Sequence, residues 1–342
     1  MANNNYLKWL TDETDTVYWN DGAVPGELEA AAENGAIGAT TNPFLIYNAL
    51  RDHPDDFAAA LKGIDSGLSG DERAEALIRR VTSEIAGLLS GYTGMPGGGY
   101  CCAQVNPNRP GDEKTMLEQA RRYAAVRDSI VVKLPATAAG LKVFEECAAF
   151  GFNVAATVSF TAAQVLAAGA AFERGSAKAA ANGIRPGLGI AVLMVGRLDD
   201  YLRDVAHDSG SAATEEDIRL SGLAAIKRAY GIFNERGYGC KLMPAACRGP
   251  YHVTELAGAD MIMSITPKIA ETLTDAQGPF EERIGVPVPA DVVKRLSTMP
   301  EFIKAYEPEG LGVEEFISYG ATNRTLTQFC VAGWDMLVNY PI

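Results

Sequence analysis

The chain has few of the side chains that proteins use most often to bind metal ions. Only three histidines occur among its 342 residues, and the positions of His53, His207 and His252 fit no metal-binding spacing. The cysteines are thinly spread and form no C-x-x-C pair, so we expect reduced thiols in the core and no protein-bound metal. They are Cys101, Cys102, Cys147, Cys240, Cys247 and Cys330.

Positive charge and long apolar runs are scarce as well. The net charge of −13 and an isoelectric point near 4.8 argue against a nucleic acid or an anionic membrane as partner, since either would need a basic surface. The most apolar stretch, residues 152–172, contains several polar side chains and is too polar to span a membrane. The N-terminus lacks a charged-then-apolar signal pattern, so we expect a cytoplasmic protein.

Motifs for several common enzyme classes are missing too. The glycine-rich segment 94–99 lacks the Gly-Lys-Ser/Thr ending of a phosphate-binding loop and does not follow a strand, so we predict a flexible loop. No dinucleotide fingerprint, G-x-S-x-G elbow or H-E-x-x-H motif occurs. The sequence therefore does not indicate any of the enzyme classes that those motifs mark.

What the sequence does contain is an alternation of short apolar runs with longer helical stretches. In one such stretch Leu220, Leu223, Ile226, Tyr230 and Phe233 are spaced to lie on one helix face. Strands that alternate with helices predict a parallel sheet, and eight such units over about 260 residues favour a closed (β/α)8 TIM barrel in the α/β class. The predicted strands are Thr16–Trp19, Ile37–Thr41, Gly99–Val105, Ile130–Leu134, Val154–Ser159, Gly189–Met194, Cys240–Met243 and Met261–Ile265.

Two stretches lie outside this repeat. Residues 51–90 hold extra helix between the second and third strands, and residues 278–342 form a helical extension after the eighth unit. We expect the extension to pack over the barrel or to form the contact of a homodimer. No low-complexity linker is present, so residues 1–342 are interpreted as a single domain with the barrel at about 15–275. The predicted helices of the extension are Asp291–Ser297, Val313–Ser318 and Thr325–Leu337.

Polar side chains stand at the ends of most predicted strands. In a barrel of this kind the reactive groups project from the carboxyl ends of the strands, so these side chains should meet above one mouth of the barrel. In chain order they are Asn20, Asp21, Thr40, Thr41, Asn42, Gln104, Lys133, Thr157, Ser159, Arg197 and Arg248.

Lys133 is the most informative of these residues. It lies near the end of the apolar run 130–135, where alternation puts it on the same face as Val131. If that face is the barrel interior, burial among aliphatic side chains disfavours the ammonium form and favours a neutral amine that can attack a carbonyl. If the face points outward, the side chain reaches water in the ordinary way.

Two further strand ends allow two interpretations each. Asp21 is a candidate general acid/base, but an aspartate before glycine is also a common turn or helix-cap residue. Asn42, which follows Thr40 and Thr41, could bind substrate hydroxyls or could cap the next helix ahead of Pro43.

The two arginines are candidates for a phosphate clamp, because guanidinium groups bind phosphate with two parallel hydrogen bonds. Arg197 and Arg248 follow the sixth and seventh strands. Arg197 could instead pair with Asp199 or Asp200 on the surface.

Several of these segments resemble those of the transaldolase family, and they occur in the family's order over residues of about 15 to 275. The segment VVKLPATAAG (131–140) resembles the one that holds the family's Schiff-base lysine. The others are GATTNP (38–43), GFN (151–153), SFTAAQ (159–164), VGRLDD (195–200), AACR (245–248) and LAGAD (256–260).

The resemblance implies a reaction without a metal or an organic cofactor. Lys133 would form an imine with C2 of a ketose phosphate, and Asp21 would take the C4 hydroxyl proton as the C3–C4 bond breaks. The dihydroxyacetone unit would then pass from the lysine to an acceptor aldehyde. Because the match allows an offset of one position, Asn20 remains an alternative to Asp21.

The resemblance also implies a binding role for the neighbouring residues. Arg197 and Arg248 would hold the substrate phosphate, and Thr40 and Asn42 would bind its hydroxyls. The small-molecule partners would therefore be sugar phosphates.

The sequence departs from the family pattern at several of these positions. Gln104 stands where transaldolases have a glutamate that handles water together with the strand-five threonine, here Thr157, and glutamine cannot take a proton from water. Fructose-6-phosphate aldolases, which release free dihydroxyacetone, also have glutamine at this position. Met194 replaces the phenylalanine of transaldolases or the tyrosine of fructose-6-phosphate aldolases. Three further positions that are polar in the family are apolar here: Ala155, Val192 and Ala246.

Transaldolase activity is thus the preferred functional hypothesis, with two alternatives. One is a fructose-6-phosphate aldolase-like enzyme that releases free dihydroxyacetone, or a transaldolase for a modified ketose. The other is a barrel that binds a ligand without catalysis.

Overall fold

The structure, a computed structural model, describes residues 5–94, 99–276 and 278–342. The central part of the predicted glycine-rich loop, residues 95–98, lies outside these ranges. All eight predicted strands are present, and all of them pair in parallel. The strands are β1 (Val17–Asp21), β2 (Gly38–Thr40), β3 (Tyr100–Gln104), β4 (Ile130–Pro135), β5 (Asn153–Thr157), β6 (Gly189–Leu193), β7 (Lys241–Pro244) and β8 (Ile262–Ile265).

The strands close into a barrel. They pair in the order β7–β6–β5–β4–β3–β2–β1–β8, so that strands adjacent in the chain are adjacent in the sheet. A bridge between Leu242 on β7 and Met261, which precedes β8, joins the two ends of the sheet. The predicted (β/α)8 TIM barrel is therefore confirmed.

Helices connect the strands and cover the outside of the barrel, and in the described ranges none is both long and apolar enough to cross a membrane. The first nine are α1 (Tyr6–Glu13), α2 (Pro25–Glu33), α3 (Pro43–Asp52), α4 (Pro54–Leu61), α5 (Gly70–Thr93), α6 (Glu113–Ala124), α7 (Ala138–Ala149), α8 (Ala162–Ala181) and α9 (Val195–Ser209). The others are α10 (Glu215–Ile218), α11 (Ser221–Arg236), α12 (Pro250–Thr254), α13 (Pro267–Thr274), α14 (Ala290–Leu296), α15 (Pro300–Tyr306), α16 (Gly320–Phe329) and α17 (Asp335–Val338).

The stretches outside the simple repeat are helical, with boundaries that differ from those predicted. Helices α4 and α5 are the extra helices between β2 and β3. The predicted helix Thr325–Leu337 is divided into α16, a π-helical segment Cys330–Trp334, and α17. At this segment Gly333 approaches α3 so closely that a Cβ atom would lie 2.7 Å from the nitrogen of Phe44. Residues 313–318 form a 3₁₀-helix, and α15 was not predicted.

Two strand ends differ from the prediction in ways that matter for the site. Strand β1 runs on to Asp21 because Asn20 and Asp21 pair with Ala39 and Thr40 on β2. Strand β5 stops at Thr157 because Val158 adopts a left-handed backbone with φ of 56°, which turns the chain out of the sheet.

An aromatic pair from β1 and β3 packs below the strand ends. Trp19 is fully buried and stacks on Tyr100, with ring centroids 5.5 Å apart. Burying a side chain of this size contributes about 5 kcal/mol of transfer free energy. Asp21 and Gln104 lie further along the same two strands than this aromatic pair.

Candidate active site

Lys133 projects into the interior of the barrel from β4. Its side chain is only 5% exposed, and the ammonium group donates a hydrogen bond to the carbonyl oxygen of Thr41 at 3.3 Å. In the sheet register it lies between Gln104 on β3 and Ala155 on β5. This placement excludes the outward-facing alternative and puts a potential nucleophilic amine on the inner wall.

The start of α7 fixes the end of the strand that carries Lys133. Thr137 caps the helix by accepting a hydrogen bond from the N–H of Gly140 at 3.0 Å. A Cβ atom at position 140 would lie only 1.9 Å from the carbonyl oxygen of Pro135, so a glycine is needed for the helix to begin this close to β4. The backbone near Lys133 is thereby held from the helix side.

A short chain of hydrogen bonds ends on the carboxylate of Asp21. The hydroxyl of Thr40 donates to Oδ1 of Asp21 at 2.8 Å, and the hydroxyls of Thr40 and Ser264 lie 2.6 Å apart. Because a hydroxyl has a single proton, Ser264 must donate to Thr40 when Thr40 donates to Asp21. This chain of hydrogen bonds orients the carboxylate. Thr40 was predicted to bind substrate, but here its hydroxyl proton is already donated to Asp21.

The surroundings of Asp21 favour its protonated form. Part of the residue faces the mouth of the barrel, yet burial of the carboxylate raises the pKa of Asp21 above its ordinary value. The charges of Lys133 and Arg197 and the hydrogen bond from Thr40 oppose this rise only in part. The carboxylate is thus a stronger base than a solvated aspartate. It interacts electrostatically with both Lys133 and Arg197.

Asn20 lies on the opposite face of β1. It is fully buried and, with Tyr18 and Glu27, lines a pocket of about 540 Å³ between α2 and α13, outside the barrel. Strand alternation therefore directs Asp21, and not Asn20, toward Lys133. Of the two positions that the one-residue offset left open, the geometry favours Asp21.

Gln104 lies beside Lys133 in the register, and Thr157, opposite Pro135, lies two residues beyond Ala155 along β5. Both are buried, and within the described ranges neither Oε1 of Gln104 nor Oγ1 of Thr157 has a hydrogen-bond partner. Buried polar oxygens are normally satisfied, so these two atoms are suited to bind a substrate hydroxyl or a reacting water.

The remaining wall near Lys133 is apolar. Ala155, Val192 and Met194 are buried, and Ala155 is the direct neighbour of Lys133 in the register. Burial raises the pKa of the Cys102 thiol to about 11, so Cys102 is uncharged at neutral pH. The site therefore has one polar side, formed by β1, β2 and β8, and one apolar side.

Three other strand-end residues have structural partners. Thr41 donates from its hydroxyl to the carbonyl oxygen of Cys102 at 2.6 Å, and Ser159 bonds to the carbonyl oxygen of Val192. Asn42 caps α3 by accepting from the N–H of Leu45 at 3.0 Å, which is the second interpretation of this residue. The amide nitrogen of Asn42 and the second lone pair of its oxygen then remain for a substrate.

A cleft of about 370 Å³ opens beside the mouth, and we call it the arginine cleft. It is lined mainly by Arg197, Asp200, Tyr201, Arg248, Arg324 and Gln328. Burial, with the nearby charge of Arg248, lowers the pKa of Arg197, so an anion bound here would relieve the repulsion between cations. The cleft is suited to a phosphate group.

The ion pairs of the cleft differ from the alternative raised by the sequence. Arg248, and not Arg197, binds Asp200, through Nε at 2.9 Å and Nη2 at 2.8 Å. Arg197 donates to Oε1 of Gln328 at 2.5 Å, and its Nε has no partner in the described part of the chain. Arg197 thus keeps a donor that a ligand can use.

Two participants were not identified from the sequence. Ser264 is the only hydroxyl on β8, and strand alternation in the run 261–265 could have marked it as an inward-facing polar residue. Gln328 belongs to the C-terminal extension, and no local pattern connects it with Arg197.

The site offers an amine, a carboxylate and arginines as its chemical groups. Within the described ranges no three His, Cys, Asp or Glu side chains converge closely enough to hold a metal ion. The arrangement can carry out carbonyl addition with proton transfer, with an anionic substituent held in the arginine cleft.

Comparison with known proteins shows the family of the chain. A family model described as transaldolase/fructose-6-phosphate aldolase matches residues 18–309. A transaldolase of Thiobacillus denitrificans is 31% identical over 252 residues, covering 70% of this chain and 68% of that protein. A transaldolase of Pseudoalteromonas atlantica is 26% identical over 294 residues, 82% of each chain. A probable transaldolase of Agathobacter rectalis is 27% identical over 260 residues, covering 75% of this chain and 89% of that protein.

The family match extends from β1 to α15 and therefore includes every strand that carries a candidate site residue. It confirms the family resemblance inferred from the sequence motifs. The chain is an enzyme of the transferase class and belongs to the transaldolase/fructose-6-phosphate aldolase family.

Proposed function

We propose that this protein is a transaldolase that transfers a dihydroxyacetone unit from a ketose phosphate to an aldehyde through an imine on Lys133. The observation that carries the proposal is the buried amine of Lys133, which lies on the inner wall within the electrostatic reach of Asp21. An amine that attacks a carbonyl needs a place shielded from water, and a base nearby must move protons.

The reaction begins with addition of the neutral amine of Lys133 to C2 of the ketose. The resulting carbinolamine loses water and becomes a protonated imine. The buried wall formed by Ala155, Val192 and Met194 supports this step because it keeps bulk water away from the reacting carbon.

The C3–C4 bond then breaks. The carboxylate of Asp21 takes the proton of the C4 hydroxyl, C4 leaves as the carbonyl of the first aldehyde, and the electron pair of the broken bond moves into the imine to give an enamine. Addition of C3 to an acceptor aldehyde reverses these steps, and Asp21 returns its proton to the new hydroxyl. The hydrogen bond from Thr40 holds the carboxylate in one orientation throughout.

The phosphate of the substrate binds in the arginine cleft. Arg197 supplies its free Nε, and Arg248 is held beside it by Asp200. Hydroxyl groups of the bound sugar face Asn42 and the unsatisfied oxygens of Gln104 and Thr157.

Those unsatisfied oxygens favour one alternative within the same family. If Gln104 and Thr157 hold a water against the imine, the enamine can be protonated and hydrolysed, and free dihydroxyacetone leaves without an acceptor. Assays of fructose 6-phosphate cleavage with and without an acceptor aldehyde separate the two activities. Release of dihydroxyacetone that is independent of the acceptor would favour the aldolase.

Borohydride trapping tests the imine itself. Fructose 6-phosphate is added with sodium borohydride, and the mass of the intact protein is measured. We expect a mass increase that corresponds to one reduced sugar adduct in the wild type and no increase in Lys133→Met, which keeps a similar apolar volume. Lys142→Ala is a matched control, because Lys142 is exposed on α7 and pairs with Glu113.

The outcomes distinguish catalysis from simple binding. An adduct in the wild type and in Lys142→Ala, but not in Lys133→Met, supports the proposed reaction. An adduct that survives in Lys133→Met removes Lys133 from the mechanism, and absence of any adduct would favour a barrel that only binds its ligand.

A further inference from the structure

Behind the arginine cleft lies a buried pair of polar side chains that the reaction above does not use. Asp199 and His252 are both fully buried, and Nε2 of His252 lies 3.0 Å from Oδ2 of Asp199. The other carboxylate oxygen accepts hydrogen bonds from the hydroxyl of Ser221 and the N–H of Gly222, both at 2.8 Å. The pair is thus anchored on α9, α11 and α12.

The second ring nitrogen of His252 is bound to the backbone of Arg248. The N–H of Arg248 lies 3.0 Å from Nδ1. A backbone N–H can only donate, so Nδ1 must be the acceptor and the ring proton must be on Nε2. Nε2 lies 3.0 Å from Oδ2 of Asp199, although these two atoms form no hydrogen bond with each other or with another group in the described part of the chain. The hydrogen bond from Arg248 therefore makes Nε2 the ring nitrogen that carries a proton.

The turn that carries Arg248 needs such a support. Ala246 has a left-handed backbone with φ of 55°, which alanine adopts rarely. On the other side the turn is packed against Gly196, where a Cβ atom would lie 2.3 Å from the carbonyl oxygen of Ala246. The guanidinium of Arg248 also bonds back to that carbonyl oxygen at 2.8 Å.

We propose that His252 is a positioning residue for anion binding, acting through the main chain of Arg248. By accepting the N–H of Arg248, it holds the strained turn in the conformation that directs the guanidinium toward Asp200 and Arg197 in the arginine cleft. This inference rests on the proposed function only in taking the bound anion to be the substrate phosphate. The carboxyl group of Asp199, 3.0 Å from Nε2, favours the ring orientation in which Nδ1 faces Arg248.

Two substitutions of His252 separate its two contacts. In His252→Asn the side-chain oxygen is two bonds from Cβ, as Nδ1 is, so it can still accept the N–H of Arg248. In His252→Gln the amide nitrogen is three bonds from Cβ, as Nε2 is, so it can still donate to Asp199 but leaves the N–H of Arg248 without an acceptor. If only the contact with Asp199 mattered, His252→Asn would weaken phosphate binding more than His252→Gln.

The binding of inorganic phosphate, measured by isothermal titration calorimetry, is the readout. We expect His252→Asn to bind phosphate within about threefold of the wild type and His252→Gln to bind it about tenfold more weakly. The same split should appear in borohydride trapping, with His252→Gln impaired for fructose 6-phosphate but not for unphosphorylated fructose. His207→Gln, at an exposed site on α9, is the control for a histidine substitution.

A measurement on the wild type covers the case in which the variants do not fold. With ¹⁵N-labelled histidine, long-range NMR correlations should assign to His252 the neutral Nε2–H tautomer, and its Nδ1 signal should shift when phosphate is added. The Nδ1–H tautomer, or equal phosphate affinity in both variants, would overturn the inference and leave the proposed reaction intact. If the wild type forms the ketose adduct but binds no phosphate, the inference about His252 is wrong and the proposed reaction still stands. If the wild type neither forms the adduct nor binds phosphate, the proposed function is refuted as well.

Discussion

Replacing Asp21 by asparagine separates its role as a base from its role in the hydrogen-bond chain. The amide oxygen of the introduced side chain can still accept the hydrogen bond that Thr40 donates at 2.8 Å, so the chain from Ser264 is preserved. What is lost is the negative charge and the ability to take the C4 hydroxyl proton. We therefore expect Asp21→Asn to fold normally and to release aldehyde from fructose 6-phosphate about 10²- to 10⁴-fold more slowly in single turnover.

The same substitution should stabilise the protein, and the effect should depend on pH. Because burial raises the pKa of Asp21, the folded state binds more protons than the unfolded state from the unfolded pKa of 3.8 upward. The stability of the wild type therefore falls as pH rises from 3.8 through the raised pKa, and Asp21→Asn lacks this loss. Thermal unfolding should show a variant that matches the wild type below pH 3.8 and unfolds at a higher temperature at pH 7.

Two controls decide whether this reasoning is right. Asn20→Ala changes the neighbouring residue on the opposite face of β1 and should leave aldehyde release within a few-fold of the wild type. Asp12→Asn, at an exposed position on α1, should not reproduce the stabilisation at pH 7. An Asp21→Asn enzyme that keeps the wild-type rate, or one that is less stable than the wild type at pH 7, would refute the assignment of Asp21 as a buried base.

Other substitutions test the remaining parts of the site. Gln104→Glu introduces the proton acceptor that transaldolases have at this position and should shift the ratio of transfer to release of free dihydroxyacetone toward transfer by at least about tenfold; an unchanged ratio in the presence of acceptor removes Gln104 from the mechanism. Arg248→Ala should raise KM for fructose 6-phosphate by about 10- to 100-fold and affect unphosphorylated fructose little, and equal losses would contradict the clamp. Gly140→Ala forces a Cβ atom against the carbonyl oxygen of Pro135, 1.9 Å away before relaxation, and should lower the free energy of unfolding by about 3 kcal/mol in urea titrations. A loss below about 1 kcal/mol would show that α7 can move away from β4 freely.

The barrel could be predicted from the sequence because its strands are buried on both faces. Strands such as β4 and β6 are buried at every position, and apart from Lys133 on β4 both are apolar runs that alternate with helices. The number of these runs and their order along the chain can be predicted even when a strand end is shifted by one or two residues. The order of eight such runs was sufficient to predict a closed barrel.

The strand ends could not be predicted, because tertiary contacts set them. Val158 adopts a left-handed backbone that its own branched side chain disfavours, so no local pattern indicated that β5 ends before Ser159. The π-helical segment between α16 and α17 lies where Gly333 meets the backbone of α3, a contact between distant parts of the chain.

The residues on the inner wall of the barrel were easier to predict than the residues that hold the arginine cleft in place. Asp21, Gln104 and Lys133 follow from strand position and alternation, which is local information. The contacts of Arg197 with Gln328 and of Asp199 with His252 join segments far apart in sequence, the first pair being 131 residues apart. A side chain predicted to pair on the surface, Asp199, is in fact buried, because α11 and α12 cover it.

The most direct test of the proposed imine is to locate the trapped adduct in the chain. After reduction of the wild-type complex with fructose 6-phosphate, tryptic peptides are sequenced by tandem mass spectrometry. Trypsin does not cleave at a modified lysine, so we predict a single adduct-bearing peptide spanning residues 128–142, with the added mass on Lys133. An adduct on any other lysine, or a complete absence of adduct while fructose 6-phosphate is turned over, would contradict the imine on Lys133.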